Sequence, residues 1–265
     1  MPATLPLSMI VITHDAEDDI AECLASAAFA AESVVVDSGS ADHTVDVAKS
    51  RGARVLHRAW TGFGPQKQFG VDAASHDWVL CLDADERVTP ALARSLEALF
   101  AHGEPNRAAY EVARRNRFLG RWLAHGEGYP DRIVRLFDRH RAHWSSDAVH
   151  EHVVVSGPVG RLDGDLLHLS AESIERYIEK QNRYTTLQAD LLHARGARSA
   201  APAMFFSPLV RFARNYIVRL GFLDGAAGFA HSAIGAFASF MKHVKLRALE
   251  RDAAASAAAA DEQRR

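Results

Sequence analysis

Three nearly continuous apolar runs, residues 7–13 (LSMIVIT), 33–37 (SVVVD) and 78–82 (WVLCL), are separated by stretches of helical periodicity. Runs of this length without polar alternation are buried on both faces, which in a chain with intervening helices means strands of a parallel, doubly wound α/β sheet. Ile20, Cys23, Leu24 and Ala27 mark the first helix. Asp42 is placed to cap a second helix reaching Lys49, and residues 53–57 form a third short strand. Gly62-Phe63-Gly64-Pro65 then reads as a loop with Pro65 at the start of a helix running to about Ala74.

The last of these runs breaks into Asp83-Ala84-Asp85-Glu86, three carboxylates in four residues. Open α/β sheets bind ligands at the carboxyl ends of their strands, so these acids fall where chemistry is done. In an extended segment Asp83 and Asp85 face the same side and can share one hard divalent cation, leaving positions for phosphate oxygens. The competing reading is that the acids only cap a helix starting near Pro90. No G-x-G-x-x-G follows the first strand and no G-x-x-x-x-G-K-[ST] occurs, which disfavours dinucleotide dehydrogenases and P-loop NTPases.

Beyond a helix over 90–101, residues 108–113, 133–137 and 149–155 read as strands, and His168 follows another apolar run. His150 and His152 would share a face of their strand, but H-E-x-x-H is absent. Arg114, Arg115, Arg117 and Arg121 are mixed with Phe118, Leu119 and Trp122; this is either a solvated loop or a contact for an anionic, partly lipidic partner. A long helix follows Ser170, through Ile174, Tyr177, Ile178 and Gln181, to about Arg195-Gly196. Two more span about 204–220 and 226–249, and from Ala253 the chain is an alanine-rich fraying helix or tail. Between Met204 and Arg247 stand Arg211, Arg214, Arg219, Lys242, Lys245 and Arg247 against one acid, Asp224. The apolar stretch 226–241 falls short of the ~20 residues needed to span a bilayer, leaving interfacial binding or packing on the first domain as its readings.

The length of 265 residues suits one sizeable α/β domain with an appendage. A formal charge of −2 argues against nucleic acid as a partner. Cys23 and Cys81 fit neither a metal spacing nor a disulfide framework, and residues 1–6 show no secretory signal, so a cytosolic location is expected.

The succession Thr13-His14-Asp15-Ala16-Glu17, then Val36-Asp37-Ser38-Gly39-Ser40-Ala41-Asp42-His43-Thr44, then Leu82-Asp83-Ala84-Asp85-Glu86 resembles the inverting family 2 glycosyltransferases of the GT-A fold. Gly62-Phe63-Gly64-Pro65-Gln66-Lys67, Arg115-Asn116-Arg117-Phe118-Leu119-Gly120, Tyr129-Pro130-Asp131-Arg132, Val149-His150-Glu151 and residues 219–225 (RLGFLDG) resemble, within it, the WaaE/KdtX-like lipopolysaccharide-core β-1,4-glucosyltransferases. The resemblance implies a Rossmann-like nucleotide-diphospho-sugar transferase sheet over 1–170, with a nucleotide-sugar half about 1–100 and an acceptor half about 101–170. A helical membrane- or acceptor-associated extension over 171–250 and a flexible tail over 251–265 would follow.

The same resemblance implies a UDP-sugar donor contacted by Thr13, Asp15, Glu17, Asp37, Lys67 and Asp83, and Mg²⁺ or Mn²⁺ held by Asp83, Asp85 and His168. Glu151 would be the catalytic base, with Asp147, Glu127 and Asp131 as alternatives. Arg114, Arg115 and Arg117 would meet an anionic, lipid-linked saccharide acceptor, the lipopolysaccharide inner core, on an anionic membrane surface. That makes the expected enzyme peripheral to the inner face of the cytoplasmic membrane. Asp15 stands where asparagine is more usual, and Ser38 where many relatives have a second aspartate. A sugar nucleotidyltransferase would instead bring a glycine- and arginine-rich phosphate loop after the first strand, and a non-catalytic binding module would not need the acids.

Overall fold

A computed structural model describes residues 4–101, 103–147, 151–169 and 173–262. The chain forms two compact units, Met1–Arg117 with Pro130–Ser170, and Phe118–Tyr129 with Ala171–Arg265. The sequence boundary near 170 lies at residues outside the described ones.

In chain order the elements of the first unit begin with β1 (Leu5–Thr13), α1 (Ile20–Ser26), β2 (Ala30–Asp37), α2 (Thr44–Ser50), β3 (Arg54–His57), α3 (Phe63–Asp72) and β4 (Trp78–Asp83). There follow β5 (Glu86–Val88), α4 (Pro90–Phe100) and β6 (Ala109–Phe118), whose last residue joins the second unit together with β7 (Arg121–Trp122). The first unit resumes with β8 (Asp131–Asp138), β9 (Ala142–Trp144), β10 (Val153–Val155) and β11 (Val159–His168).

The main sheet has the order β3-β2-β1-β4-β8-β6-β11-β5. β1 to β4 are parallel; β1, β2 and β4 carry runs buried on both faces, while the edge strand β3 is exposed or half-buried. Past β4 the sheet departs from the fully parallel expectation. β8 runs antiparallel to both β4 and β6, and β5 antiparallel to β11, while β6 and β11 are parallel. No helical segment separates β6 from β8 to make the crossover that parallel neighbours need.

Met9, Val11, Leu80 and Leu82 pack on one face with Ile20, Leu24, Leu92 and Leu96 of α1 and α4. Ile10, Val79 and Cys81 pack on the other with Val71 of α3 and with Phe137 and Trp144. A Cβ on Gly70 would lie 2.4 Å from Ile10 Cγ2, so glycine lets α3 press onto β1. In register, Thr13 stands opposite Asp37, Asp37 opposite His57, and Ile12 opposite Asp83, which gathers the strand ends along one edge.

Several boundaries differ from the sequence reading. α3 starts at Phe63, with Gly62 (φ 115°) as its N-cap, two residues before Pro65. α2 starts at Thr44, whose amide donates to Asp42 Oδ1 (2.9 Å). The basic stretch from Arg114 is the second half of β6, a turn at Leu119-Gly120 and then β7, rather than a single loop. The strand read as 149–155 is confined to β10; Val149 and His150 lie outside the described residues. Thr89 caps α4, its hydroxyl accepting from Leu92 N at 3.3 Å, so Asp83, Asp85 and Glu86 are not its cap.

The second unit contains α5 (Ile174–Ala194), α6 (Ala201–Phe212), a π-helical segment Ala213–Val218, a 3₁₀ turn Gly221–Asp224 and α7 (Gly225–Glu262). The helix α5 is capped by Ser173, Ser170 being outside the described residues. Loop 118–129 is fastened within this unit. Asp224 accepts from Ala124 N (3.0 Å) and His125 N (2.8 Å), and Gly126 N donates to Arg219 O (2.9 Å). Among the described residues no helix is long and apolar enough to cross a membrane.

Candidate active site

β4 delivers Asp83 to the carboxyl edge, and a tight turn through Ala84 and Asp85 reverses the chain into β5. The two aspartates therefore take different partners instead of sharing a face. Asp83 Oδ1 lies 2.9 Å from Lys67 Nζ, and Oδ2 lies 2.9 Å from Arg135. Burial alone would raise the Asp83 pKa, but the Lys67 ammonium and the Arg135 guanidinium outweigh it and hold the carboxyl well below the usual range. Arg135 also meets Glu86 at 2.6 Å, and Glu86, with no exposed side-chain surface, accepts the Asp83 amide at 3.1 Å. Burial would lower the Arg135 pKa, yet Glu86 and Asp83 raise it above its ordinary value. Glu86 is thus the buried structural acid of the trio.

Lys67 reaches this point from α3 because Gly64, one turn earlier, sits against Ser145 and Glu151: a Cβ there would fall 2.0 Å from Ser145 O and 3.5 Å from Glu151 Cβ. The ammonium lies 3.9 Å from Glu151 and 4.7 Å over the Trp144 ring. Trp144 is itself held by Gln68, which accepts its amide at 2.8 Å, and by Cys81, 3.4 Å from its indole nitrogen. Of the four carboxylates offered as a base, Glu151 is the one beside Lys67. Asp131 takes the Nε and Nη2 of Arg114 at 2.9 and 2.6 Å. Asp147 is exposed, 3.5 Å from His152. Glu127 belongs to the second unit, where Arg211 and Asn215 hold it.

Asp85 lies apart from this network, its Oδ2 3.1 Å from His168 Nε2. His168 Nδ1 lies 2.8 Å from Asn116 Oδ1, a partner that accepts and so keeps the proton on Nδ1. Nε2 points at the Asp85 carboxylate, a separation that a proton on Nε2 or a cation between the two groups satisfies. Among the described residues no group of three or more His, Cys, Asp or Glu side chains is arranged around a metal. One carboxylate and one imidazole nevertheless suit a divalent ion whose remaining positions are filled by ligand oxygens and water.

The loops after β1 and β2 are zipped together. Asp15 (φ 47°) accepts from Ala41 N at 2.7 Å, Glu17 from His43 N at 2.9 Å, and Ala16 N donates to Thr44 Oγ1 at 2.7 Å. Asp37 accepts from Ser40 Oγ (2.5 Å) and Gly39 N (2.8 Å). Burial would raise its pKa, but these bonds from Ser40 and Gly39 bring it below the usual value. Gln66, fully buried, ties Ser38 to Arg58. The Thr13 hydroxyl is buried without a partner among the described residues. On β6, Arg114 also stands 3.6 Å from Glu86, Arg115 4.0 Å from Asp165, and Arg117 is exposed.

Arg135 and Trp144 are participants that no motif includes, and Gln66 and Asn116 stand in motifs that gave them no role. Arg135 had a signal, since a lone cation inside the apolar run Ile133-Val134-Arg135-Leu136-Phe137 requires buried acids.

Residues 8–157 match Glycosyl transferase family 2, and the chain belongs to that family. Its relatives include the lipopolysaccharide core biosynthesis glycosyltransferase LpsC of Rhizobium meliloti (strain 1021), 32% identical over 91% of this chain and 92% of LpsC. An uncharacterized glycosyltransferase of Rickettsia typhi is 31% identical over 92% of this chain and 87% of its own length. Among solved structures, glucosyl-3-phosphoglycerate synthase from Mycobacterium tuberculosis, in complex with Mn²⁺, UDP and glucosyl-3-phosphoglycerate, aligns with 42% of this chain and 44% of its own at 24% identity and a TM-score of 0.36.

Proposed function

We propose that the protein transfers a hexose, glucose from UDP-glucose, with inversion to a heptose of the lipopolysaccharide inner core, at the inner face of the cytoplasmic membrane. Membership of family 2 supports glycosyl transfer, and the likeness to LpsC supports the acceptor class. The observation that carries the mechanism is Lys67, whose ammonium stands between Asp83 and Glu151.

Glu151 removes the proton of the acceptor hydroxyl as its oxygen bonds to the sugar C1; the bond from C1 to the diphosphate breaks and UDP leaves. Lys67, 3.9 Å from Glu151, orients its carboxylate. Asp83, fixed by Lys67 and Arg135, faces the donor ribose, while the loops bearing Thr13, Asp15, Glu17 and Asp37 shape the uridine pocket. Asp85 and His168 would hold the metal, which when bound would supply a Lewis acid against the charge on the departing diphosphate. With both Asp83 oxygens engaged by cations, we assign the ion to Asp85 and His168 alone. The imidazole donor favours Mn²⁺ over Mg²⁺, which prefers an all-oxygen shell. Arg114, Arg115 and Arg117 line the acceptor side, where the phosphorylated core is anionic.

Acceptor-dependent UDP release tests the assignment. Glu151→Gln is expected to retain UDP binding and lose at least about a hundredfold in turnover; near-normal turnover would remove Glu151 as the base. UDP binding without any transfer by the wild-type protein would favour a non-catalytic module, and pyrophosphate formation a nucleotidyltransferase.

A further inference from the structure

Helix α6 and its π-helical continuation are built inside out. Ser207, Arg211 and Asn215 recur every four residues and turn into the second unit. Ser207 Oγ lies 2.7 Å from Ser239 Oγ of α7, Arg211 Nη2 is 3.0 Å from each Glu127 oxygen, and the fully buried Asn215 donates to Glu127 at 2.7 Å. The opposite face carries Phe205, Phe206, Leu209, Val210, Ile217 and Val218, each between 59% and 74% exposed. A helix packed on a domain in water shows the reverse, with its apolar stripe inward and its polar residues out. Six large apolar side chains along one stripe make a patch of the kind that marks an interaction surface.

Charge selects the partner. Between Asp190 and Asp224 there is no acid, while Arg195, Arg198, Arg211, Arg214 and Arg219 all fall in that stretch. Arg214 and Arg219 are exposed beside Ile217 and Val218. A second copy of the chain laid on this face would set arginine against arginine with no acid from the element to pair them. An anionic lipid surface supplies phosphates for the arginines and acyl chains for the apolar side chains at once.

We infer that the outer face of residues 205–218 is the segment that inserts into an anionic bilayer surface, lying in the interface without crossing it. The polar inner face, fixed to Glu127 and Ser239, bars it from spanning. This deepens the reading of a lipid-linked acceptor by naming the element that docks. Its physical content stands independently of the reaction.

The test is flotation of the full-length protein with phosphatidylglycerol-containing vesicles and with pure phosphatidylcholine vesicles. Wild-type protein should float with the anionic vesicles. Val210→Glu combined with Ile217→Glu should weaken that binding by more than about tenfold, with UDP binding and Tm unchanged because both positions are exposed. Arg214→Gln and Arg219→Gln should each weaken it about fivefold, an effect absent on phosphatidylcholine. Absence of wild-type binding, or equal binding by the Val210→Glu, Ile217→Glu variant, overturns the inference. So does a wild-type dimer that those substitutions dissociate without any vesicle binding. Vesicle binding without sugar transfer would leave this inference standing and remove the proposed reaction; transfer to a soluble core oligosaccharide without vesicle binding would do the converse.

Discussion

Replacing Arg135 with leucine tests whether the buried charge network, rather than the apolar sheet alone, fixes the site. Arg135 is 4% exposed and its Nη2 reaches Glu86 at 2.6 Å and Asp83 at 2.9 Å. Its loss leaves the wholly buried Glu86 with the Asp83 amide at 3.1 Å and, among the described residues, Arg114 at 3.6 Å as its remaining cation, whereas Asp83 keeps Lys67 at 2.9 Å. Removing one partner of a buried ion pair costs about 3–5 kcal/mol because the other charge stays desolvated. With Arg114 and Lys67 still present, the low end, about 3 kcal/mol, is expected. For a urea m-value of about 2–3 kcal/mol/M this lowers the unfolding midpoint by roughly 1–1.5 M. Tryptophan fluorescence reports it, since the Trp144 ring lies 5.9 Å from the Arg135 guanidinium. Adding Glu86→Gln to Arg135→Leu removes the stranded charge and should recover about half of the loss, a coupling that a double-mutant cycle isolates. A loss below about 1 kcal/mol for Arg135→Leu, or no recovery in the double variant, would mean that the apolar sheet alone fixes the site.

In the presence of UDP, Asp85→Ala should lose at least about tenfold in Mn²⁺ affinity by calorimetry, and Asn116→Leu, which removes the partner of His168 Nδ1, about tenfold to a hundredfold; unchanged affinity in Asp85→Ala would move the ion elsewhere. Glu32 is sensitive to pH. Burial raises its pKa, but the Ser8 hydroxyl, the Ser75 amide and Arg54 bring it down to about 2. A carboxylate depressed in the folded state stabilises above its unfolded pKa of about 4.3, and that contribution, about 3 kcal/mol, is lost as pH falls towards 2. Glu32→Gln should therefore be less stable than wild type at pH 7 and show a shallower fall in urea midpoint between pH 4.5 and 2; parallel pH curves would contradict this.

What the sequence made legible follows from range. β1, β2 and β4 stand out because both faces are buried, so their apolar runs are unbroken. Glu86–Val88 does not: it is three residues long and becomes a strand only by pairing with Leu166–His168 of β11. That distant pairing turns the chain after Asp83 and separates the roles of the two aspartates, which local spacing had placed on one face. Lys67, Asp83, Glu151, Asp85 and His168 could be proposed from motifs, but the bridge between the first three depends on Gly64 meeting Ser145. Arg135 comes from β8, and its partners from the end of β4 and from β5. Glu127, one of the offered bases, is drawn into the second unit by Arg211 and Asn215, contacts separated by more than eighty residues in the chain.

Inverting transfer from a UDP-sugar through Glu151 is the proposed reaction. Its most direct test is incubation of the purified protein with UDP-glucose, Mn²⁺ and truncated lipopolysaccharide ending at the inner-core heptose, with the anomeric configuration of the product read by NMR. A β-linked glucose formed in step with UDP release is expected, with no product from Glu151→Gln. An α-linked product, or an undiminished β-linked product with Glu151→Gln, would contradict it.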